Sequence, residues 1–210
     1  MNVLEDILKK DGLSFLLLEQ LSYQSELGIR LKKNLHYFER KTLFDELMKV
    51  NKWYDTCEYL CDIVIDYRIK SIQSAILKYE RYYPDRQAAK VFNDMLGFRT
   101  LCDNYEGVLG LRECKHIRVA DMSVGKANDD GYRGVHIYFQ LSNFHYPIEL
   151  QYNTYYDRQF NNWLHKYVYK RENDNQIGCI LRQFYENAEI RNENEFREML
   201  KYVLSNCKKI

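Results

Sequence analysis

The chain has 210 residues, 46% of them hydrophobic, which is enough to bury one substantial core. Its 31 basic and 30 acidic residues leave a formal net charge of +1, which argues against a protein that wraps a long nucleic-acid duplex. Two prolines and nine glycines are few for a turn-rich sandwich or barrel. The long segments rich in leucine, lysine and glutamate instead favour an α/β or α+β fold.

The sequence carries no predicted membrane or export signal. The first ten residues have neither the basic start nor the apolar centre of a signal peptide, and no stretch is apolar for long enough to cross a bilayer. We therefore expect a cytoplasmic protein with no membrane partner. Among the six cysteines, Cys57 and Cys61 have helical i, i+4 spacing but no nearby histidine, so ordinary thiols are expected rather than a zinc site.

Three helices are predicted to form an N-terminal layer over residues 1–60. They cover residues 2–10, 13–39 and 42–60. Arg30, Lys32 and Lys33 form a basic cluster in the second helix. This cluster leaves two interpretations open, a solvated helix face or a small phosphate-binding patch.

A predicted strand over residues 62–71 leads into a helix for which Ser71 is a suitable N-cap. Arg68 and Lys70 share one face of the strand, and Ser74 and Lys78 follow at helical spacing. Cations beside a helix N-terminus favour anions, so this segment predicts a phosphate cradle. It lacks the glycines of a Walker A loop.

The following elements alternate between helix and strand. They are a helix near 86–94, a strand at 95–102, a helix at 105–113, a strand at 116–124, and helices over 157–170, 176–189 and 194–206. Asp94 comes just before the first of these strands and Arg99 lies within it. Arg118 and Asp121 lie in the second strand.

The stretch from Gly125 to Thr154 joins a glycine-containing loop to two apolar segments. Residues 135–140 alternate between apolar and polar side chains, which is typical of a strand with one buried face. In the next strand Glu149 and Gln151 share the polar face. A carboxylate beside an amide on that face indicates a site.

Five short motifs occur in a fixed order. They are R68-I-K-S-x-x-S74-x-x-x-K78, D94-x-x-G-x-R99, R118-V-A-D121, G131-Y132-R-G-V-H136 and P147-I-E149-L-Q151-Y-N-T154. This order resembles the synthetase domain of the RelA/SpoT family, whose members transfer pyrophosphate from ATP to a ribose 3′-hydroxyl. The resemblance implies a nucleotidyltransferase-like fold with a mixed central sheet of about five strands flanked by helices. It further implies a single domain over 1–210, with a catalytic core at 62–170 and C-terminal helices at 176–206.

The resemblance also assigns roles to residues. Arg68 and Arg99 would contact the adenine of ATP, and Lys70, Ser74 and Lys78 would bind its phosphates. Asp94 and Glu149 would hold Mg²⁺, with Glu149 accepting the proton of the attacking hydroxyl and Gln151 ordering the catalytic site. Tyr132 would stack on the base of the acceptor, His136 would contact its phosphate or sugar, and Lys126 would lie on the same side.

The sequence departs from the family on the acceptor side. Ala120 and Asn153 stand where the family carries basic residues, and Asp129 and Asp130 lengthen the loop before Tyr132. Acids there are expected to disfavour a polyphosphate.

These departures resemble the toxic small alarmone synthetases of the FaRel type, several of which pyrophosphorylate the 3′ end of tRNA and so block aminoacylation and translation. That resemblance implies a toxin with a neutralising antitoxin as its protein partner. The acceptor-stem phosphates would be bound by Arg30, Lys32, Lys33 and Arg118. Two alternatives remain open, a small alarmone synthetase making (p)ppGpp or (p)ppApp from a free nucleotide, and a non-catalytic RNA-binding module.

Overall fold

The computed structural model describes residues 3–169 and 175–207. The α-helices are α1 (Val3–Lys10), α2 (Phe15–Gln20), α3 (Arg40–Asp55), α4 (Ile72–Tyr82), α5 (Ala88–Val91), α6 (Glu106–Gly110), α7 (Tyr155–Trp163), α8 (Asn175–Glu186) and α9 (Glu193–Cys207). The strands are β1 (Asp66–Ile69), β2 (Leu96–Leu101), β3 (Ile117–Asp121), β4 (Val135–Phe139) and β5 (Ile148–Asn153). None of the described helices is both long enough and apolar enough to cross a membrane.

The five strands form one mixed sheet in the order β1-β2-β5-β4-β3, which confirms the predicted α+β architecture of a sheet flanked by helices. The edge strand β1 pairs antiparallel with β2, and Arg68 lies opposite Gly97. Along β4 the apolar residues are buried and the polar ones half-buried, as the alternation predicts. The sheet therefore has one apolar face and one face that carries the polar residues of β4 and β5.

The chain divides into two compact units. The first comprises Met1–Thr100, Glu106–Ala120 and His136–Tyr152, and the second comprises Leu101–Tyr105, Asp121–Val135 and Asn153–Ile210. The first unit has a core of leucines from the N-terminal segments and the apolar residues of the strands. The second unit has a separate aromatic core, in which Phe160, Trp163, Tyr185 and Phe196 pack together.

The predicted helix over residues 13–39 is wrong for most of its length. Helix α2 ends at Gln20, and only a short 3₁₀ turn, Leu35–Tyr37, follows before α3. The backbone between them bonds to distant segments: the amide of Leu31 donates to the carbonyl of Asn143, and the carbonyl of Leu31 accepts from the amide of Ala89. These tertiary hydrogen bonds replace the i to i+4 bonds of a helix.

Other predicted elements are shorter than expected. Residues 63–65 do not join β1; Ile63 and Ile65 are half-buried, and Val64 is 94% exposed. Helix α3 begins at Arg40, where the Glu39 carboxylate caps the amides of Lys41 and Thr42. The predicted helices at 42–60, 86–94, 105–113 and 157–170 give way to turns or 3₁₀ or π segments near their ends, and the end of the last, residue 170, lies outside the described residues.

Candidate active site

One face of the sheet brings together side chains from three neighbouring strands. Arg68 on β1 and Arg99 on β2 lie on the same face, because Arg68 lies opposite Gly97, two residues before Arg99. A Cβ atom at Gly97 would lie 3.5 Å from Oε2 of Glu149, which places the Glu149 carboxylate of β5 over that same face. The fold thus brings Arg68 and Glu149 to one face of the sheet although they are 81 positions apart in the sequence.

Asp94 is the centre of a cationic cluster in the first unit. Its Oδ2 atom accepts from Nζ of Lys70 at 2.8 Å and its Oδ1 atom accepts from Nζ of Lys78 at 3.1 Å. A guanidinium nitrogen of Arg68 lies 3.5 Å from Oδ2. The side chains of Lys70 and Asp94 are each only 10% exposed. Three cations around one carboxylate leave a local excess of positive charge that suits a polyanion.

Ser71 and Ser74 sit at the start of α4 beside this cluster in the sequence. The side chain of Ser71 accepts from the amide of Ser74, which confirms the predicted N-cap, and its hydroxyl also donates to the hydroxyl of Ser74. Both serines are exposed. The N-terminus of this 11-residue helix therefore opens to solvent, with an exposed hydroxyl able to bind an anion.

Glu149 lies in a second polar cluster on strands β4 and β5, and it is 5% exposed. Its Oε1 atom is 3.1 Å from Nδ1 of His136 and accepts from the hydroxyl of Tyr138 at 3.0 Å. Its Oε2 atom accepts from the amide of Gln151 at 2.7 Å. Burial raises the pKa of Glu149, but the hydrogen bond and charge of His136, followed by Gln151 and Tyr138, outweigh it and lower the pKa to about 2.

The two clusters share one electrostatic environment. Burial raises the pKa of Tyr138, and the negative charges of Glu149 and Asp94 both raise it further. His136, which is predicted to contact the acceptor, lies next to Glu149. Sequence reasoning did not single out Tyr138, although its place in the alternation of β4 puts it on the polar face.

Asp94 and Glu149 are the two residues that would hold a magnesium ion. Mg²⁺ prefers oxygen ligands and is commonly held in nucleotide sites by one or two carboxylates together with substrate phosphates. Asp94 and Glu149 are both buried, and the cations next to Asp94 would attract the phosphates of a nucleotide. Within the described part of the chain no group of three or more histidine, cysteine, aspartate or glutamate residues forms a fuller metal site. Two carboxylates alone are too few ligands for a structural metal, so Mg²⁺ at this place would take its remaining oxygen ligands from a nucleotide and water.

A cavity of about 520 Å³ lies beside the Glu149 cluster in the first unit. Arg118 and Tyr138 line it, with the guanidinium 4.1 Å from the ring centroid of Tyr138. Lys32, Lys90 and His116 line it as well, and none of its described lining residues is acidic. Two basic residues predicted from separate parts of the sequence, Lys32 and Arg118, thus come together with Lys90, which sequence reasoning missed.

The other predicted basic residues occupy different positions. Arg30 and Lys33 are exposed and are not among the lining residues of this cavity, and Nζ of Lys33 lies 4.9 Å from the centroid of the Tyr37 ring. The helical face on which the three N-terminal cations were predicted does not form. Only part of the predicted patch therefore lies beside Arg118.

The Tyr132 loop, residues 125–134, belongs to the second unit. Asp129 forms two hydrogen bonds with the guanidinium of Arg133, at 2.8 and 3.0 Å, and Asp130 pairs with Lys126 at 2.7 Å. Nζ of Lys126 also lies 4.9 Å from the centroid of the Tyr132 ring. The two acids expected to repel a polyphosphate are therefore paired with cations of their own loop. These cations partly neutralise the negative charge that a ligand would meet.

Asn153 has a structural role in the second unit. It is 2% exposed, and its side-chain amide donates to the carbonyl of Arg133 at 2.8 Å and lies 3.5 Å from the Tyr132 hydroxyl. A longer arginine side chain would not fit this buried position without moving the loop. The substitution at Asn153 is thus linked to how the Tyr132 loop packs, as well as to the number of cations on the acceptor side.

No family model and no curated protein matches the chain. Among solved structures, the small alarmone synthetase 1 from Bacillus subtilis bound to its product pppGpp shares 21% identity with a TM-score of 0.42, over 78% of this chain and 92% of that one. The same enzyme bound to AMPCPP shares 18% identity with a TM-score of 0.37, over 81% and 92%. A GTP pyrophosphokinase family protein from Streptococcus pneumoniae shares 19% identity with a TM-score of 0.38, over 80% and 89%. Because these identities and TM-scores are low, the chemistry of this chain has to follow from its own side chains.

Proposed function

We propose that this protein transfers pyrophosphate from ATP to the ribose 3′-hydroxyl of a nucleotide. The observation that supports this proposal is the set of three cations around the buried Asp94, one of which, Arg68, lies on the same sheet face as the buried, ionised Glu149. Phosphoryl-group transfer depends mainly on positioning and on neutralising phosphate charge, and such a face supplies both.

ATP would bind at the Asp94 cluster. Lys70, Lys78 and Ser74 would contact the triphosphate, and Arg68 and Arg99 would stack on the adenine through their planar guanidinium groups. Arg68 is suited to this role because its side chain is 46% exposed while it remains next to Asp94. When bound, Mg²⁺ held by Asp94 and Glu149 would reduce the charge on the phosphates during transfer.

The reaction balances as a substitution at the β-phosphorus of ATP. The 3′-oxygen of the acceptor forms a bond to this phosphorus, and the bond from the phosphorus to the oxygen that bridges to the α-phosphorus breaks. AMP leaves with that oxygen, and the hydroxyl proton passes to a base. The products are AMP and a nucleotide with a 3′-pyrophosphate.

Glu149 is the proposed proton acceptor, although a carboxylate with a pKa of about 2 is a weak base near neutral pH. Its low pKa depends on His136, whose Nδ1 atom lies 3.1 Å away. An acceptor hydroxyl that displaced His136 from Oε1 would raise the pKa of Glu149 and so strengthen it as a base. His136 would then be free to contact the acceptor sugar or phosphate.

A free nucleotide is the acceptor that we place first. The sequence argument against a polyphosphate relied on the missing cations at Ala120 and Asn153 and on the acids Asp129 and Asp130, and both acids are paired with cations. The cavity beside Tyr138 offers Lys32, Lys90 and Arg118, and its volume falls within the range of small-ligand sites. In this proposal the protein is a small synthetase making (p)ppGpp or (p)ppApp.

The 3′ end of an RNA is the second candidate, and the exposed cations Arg30 and Lys33 favour it. These two cations flank Lys32 in the sequence but do not line the cavity, which is of nucleotide size. A polyanion longer than a nucleotide would contact them. In that case the acceptor would be the tRNA 3′ end, the protein would act as a toxin that blocks aminoacylation, and a neutralising antitoxin would be its partner.

A parallel acceptor assay tests these candidates. ATP labelled at the γ-phosphate is incubated with Mg²⁺, the protein and one acceptor at a time: GDP, GTP, AMP, ATP or deacylated tRNA. Labelling of a free nucleotide, with tRNA unlabelled, supports the first candidate. Labelling of tRNA alone overturns it in favour of the second, and no label on any acceptor overturns both and favours a non-catalytic module.

A further inference from the structure

We propose that Arg182, on α8, is a positioning residue that holds the Tyr132 loop for use of the acceptor. This inference deepens the proposed function, since it assumes that Tyr132 binds the acceptor. Arg182 lies 50 residues from Tyr132 in sequence and belongs to the same compact unit. It is 1% exposed, so its own side chain has no access to a substrate.

The guanidinium of Arg182 connects the loop to helices α7 and α8. Its Nε atom donates to the carbonyl oxygen of Gly131, directly before Tyr132, at 2.8 Å. Its two terminal nitrogens donate to Oδ1 of Asp157 at 2.8 Å and to Oδ1 of Asn161 at 3.3 Å. The guanidinium carbon lies over the ring of Phe160, 4.2 Å from its centroid. One side chain thus fixes a loop carbonyl relative to three residues of α7.

The backbone that follows Tyr132 is also held by α7, through Asn161. The side-chain amide of Asn161 donates to the carbonyl of Arg133 at 2.7 Å, and its oxygen accepts from the amide of Arg133 at 3.2 Å. Because Asn161 also accepts from Arg182, both peptide groups that flank Tyr132 belong to one hydrogen-bond network. The Tyr132 side chain is therefore presented from a backbone fixed at both ends.

A close approach of two glycines also holds the Tyr132 loop against α8. Gly131 has a φ of +82°, and a Cβ atom there would lie 2.2 Å from the carbonyl oxygen of Gly178 on α8. A Cβ atom at Gly178 would lie 2.0 Å from the carbonyl oxygen of Asp130. Neither distance is possible for a real side chain, so the loop lies directly on the helix backbone only because both residues are glycine.

A role in positioning explains why a buried cation is present here. Replacing a buried ion pair with well-packed apolar residues is often neutral or stabilising, so stability alone does not require Arg182 and Asp157. An apolar side chain would fill the space but would not bond to the carbonyl of Gly131. What arginine adds is a planar group that bonds to Gly131, Asp157 and Asn161 at once.

The test uses the full chain with Arg182→Lys and Arg182→Met, and Arg197→Met on α9 as the control, since Arg197 is exposed. Lysine can still pair with Asp157 but cannot make all three bonds. We expect KM for the acceptor to rise about 10-fold or more in Arg182→Met and less in Arg182→Lys, with KM for ATP within about 2-fold, since one lost buried charge-assisted hydrogen bond is worth roughly a factor of ten. Arg197→Met should change neither KM.

Hydrogen exchange supplies a readout that does not depend on activity. The amides of residues 131–133 should exchange faster in the Arg182 variants than in the unsubstituted protein, while those of β4 stay unchanged. If Arg182→Met does not fold, Arg182→Lys and Asn161→Ala carry the same comparison. Unchanged exchange at 131–133 together with an unchanged acceptor KM in a folded variant would overturn the proposal. A protein that transfers to no acceptor would overturn the proposed function instead, and the exchange result would still report on the loop.

Discussion

His136 and Glu149 lie on neighbouring strands with Nδ1 and Oε1 3.1 Å apart, and their side chains are 14% and 6% exposed. This contact, reinforced by Gln151 and Tyr138, keeps the carboxylate ionised despite its burial and lowers its pKa to about 2. The folded structure therefore holds a negative charge at the site proposed for transfer over a wide range of pH.

The first prediction concerns stability at low pH. Because the pKa of Glu149 is lower in the folded protein than its ordinary 4.5, its ionisation stabilises the fold above that pH and is lost as pH falls towards 2. The difference corresponds to about 3 kcal/mol of unfolding free energy. His136→Gln should raise the pKa of Glu149 and flatten this part of the curve. Urea unfolding between pH 2 and pH 7 measures the free energy of unfolding as a function of pH. Tyr138→Phe should change this curve less than His136→Gln does. A curve for His136→Gln that overlays that of the unsubstituted protein would contradict the account.

The second prediction concerns the buried pair of Lys70 and Asp94. Removing one member leaves a buried carboxylate with fewer partners, so Lys70→Met should lower the unfolding free energy by about 3 kcal/mol and raise KM for ATP. The matched control is Lys41→Met, because Lys41 pairs with Asp45 on the surface and its side chain is 83% exposed. That change should cost less than about 0.5 kcal/mol. Denaturant unfolding and ATP titration measure both, and equal losses in the two variants would show that burial of the Asp94 cluster is not important.

The third prediction separates two views of the acids in the Tyr132 loop. If Asp129 and Asp130 repel a polyphosphate, neutralising both should improve use of a nucleoside triphosphate acceptor. Since Arg133 holds the pKa of Asp129 below its ordinary value against the effect of burial, we expect the opposite. Asp129→Asn with Asp130→Asn should loosen the loop and raise KM for every acceptor. A lower KM for GTP alone would restore the original expectation.

The fourth prediction concerns the cavity beside Tyr138. Lys90→Gln should weaken acceptor binding and lower the slope of log affinity against log salt concentration by about 1, as expected when one cation that contacts a phosphate is lost. The control is Lys52→Gln, an exposed lysine on α3 that is not among the lining residues of the cavity. Binding is measured at several salt concentrations with the acceptor identified in the parallel assay. Identical slopes for the two variants would remove the cavity from the acceptor site.

Local sequence patterns predicted the elements whose structure depends on near neighbours. Ser71 caps α4, and the alternation around His136 and Tyr138 places them on the polar face, because both features follow from residues a few positions apart. The segment around Leu31 failed for the opposite reason. Its backbone bonds to Asn143 and Ala89, and no local pattern reports partners that far along the chain.

The site shows the same limit. The resemblance of the ordered motifs to the RelA/SpoT synthetase domain predicted Asp94 and Glu149 as a pair. It did not predict the burial of Glu149 or its low pKa, which depends on His136 and Tyr138 on the neighbouring strand. Arg182 gave no signal, since a single arginine in a predicted helix is usually exposed. Its clearest trace is Gly178, a glycine inside a helix that makes sense only beside the backbone of Asp130 and Gly131.

The most direct test of pyrophosphate transfer is to measure which nucleotide ATP leaves behind. With Mg²⁺ and the acceptor identified in the parallel assay, the unsubstituted protein should form AMP and the 3′-pyrophosphorylated acceptor in equal amounts. Glu149→Gln should reduce both by about 10²-fold or more, because it removes the proposed proton acceptor and a metal-binding charge. Formation of ADP in place of AMP, or full activity in Glu149→Gln, would contradict the account.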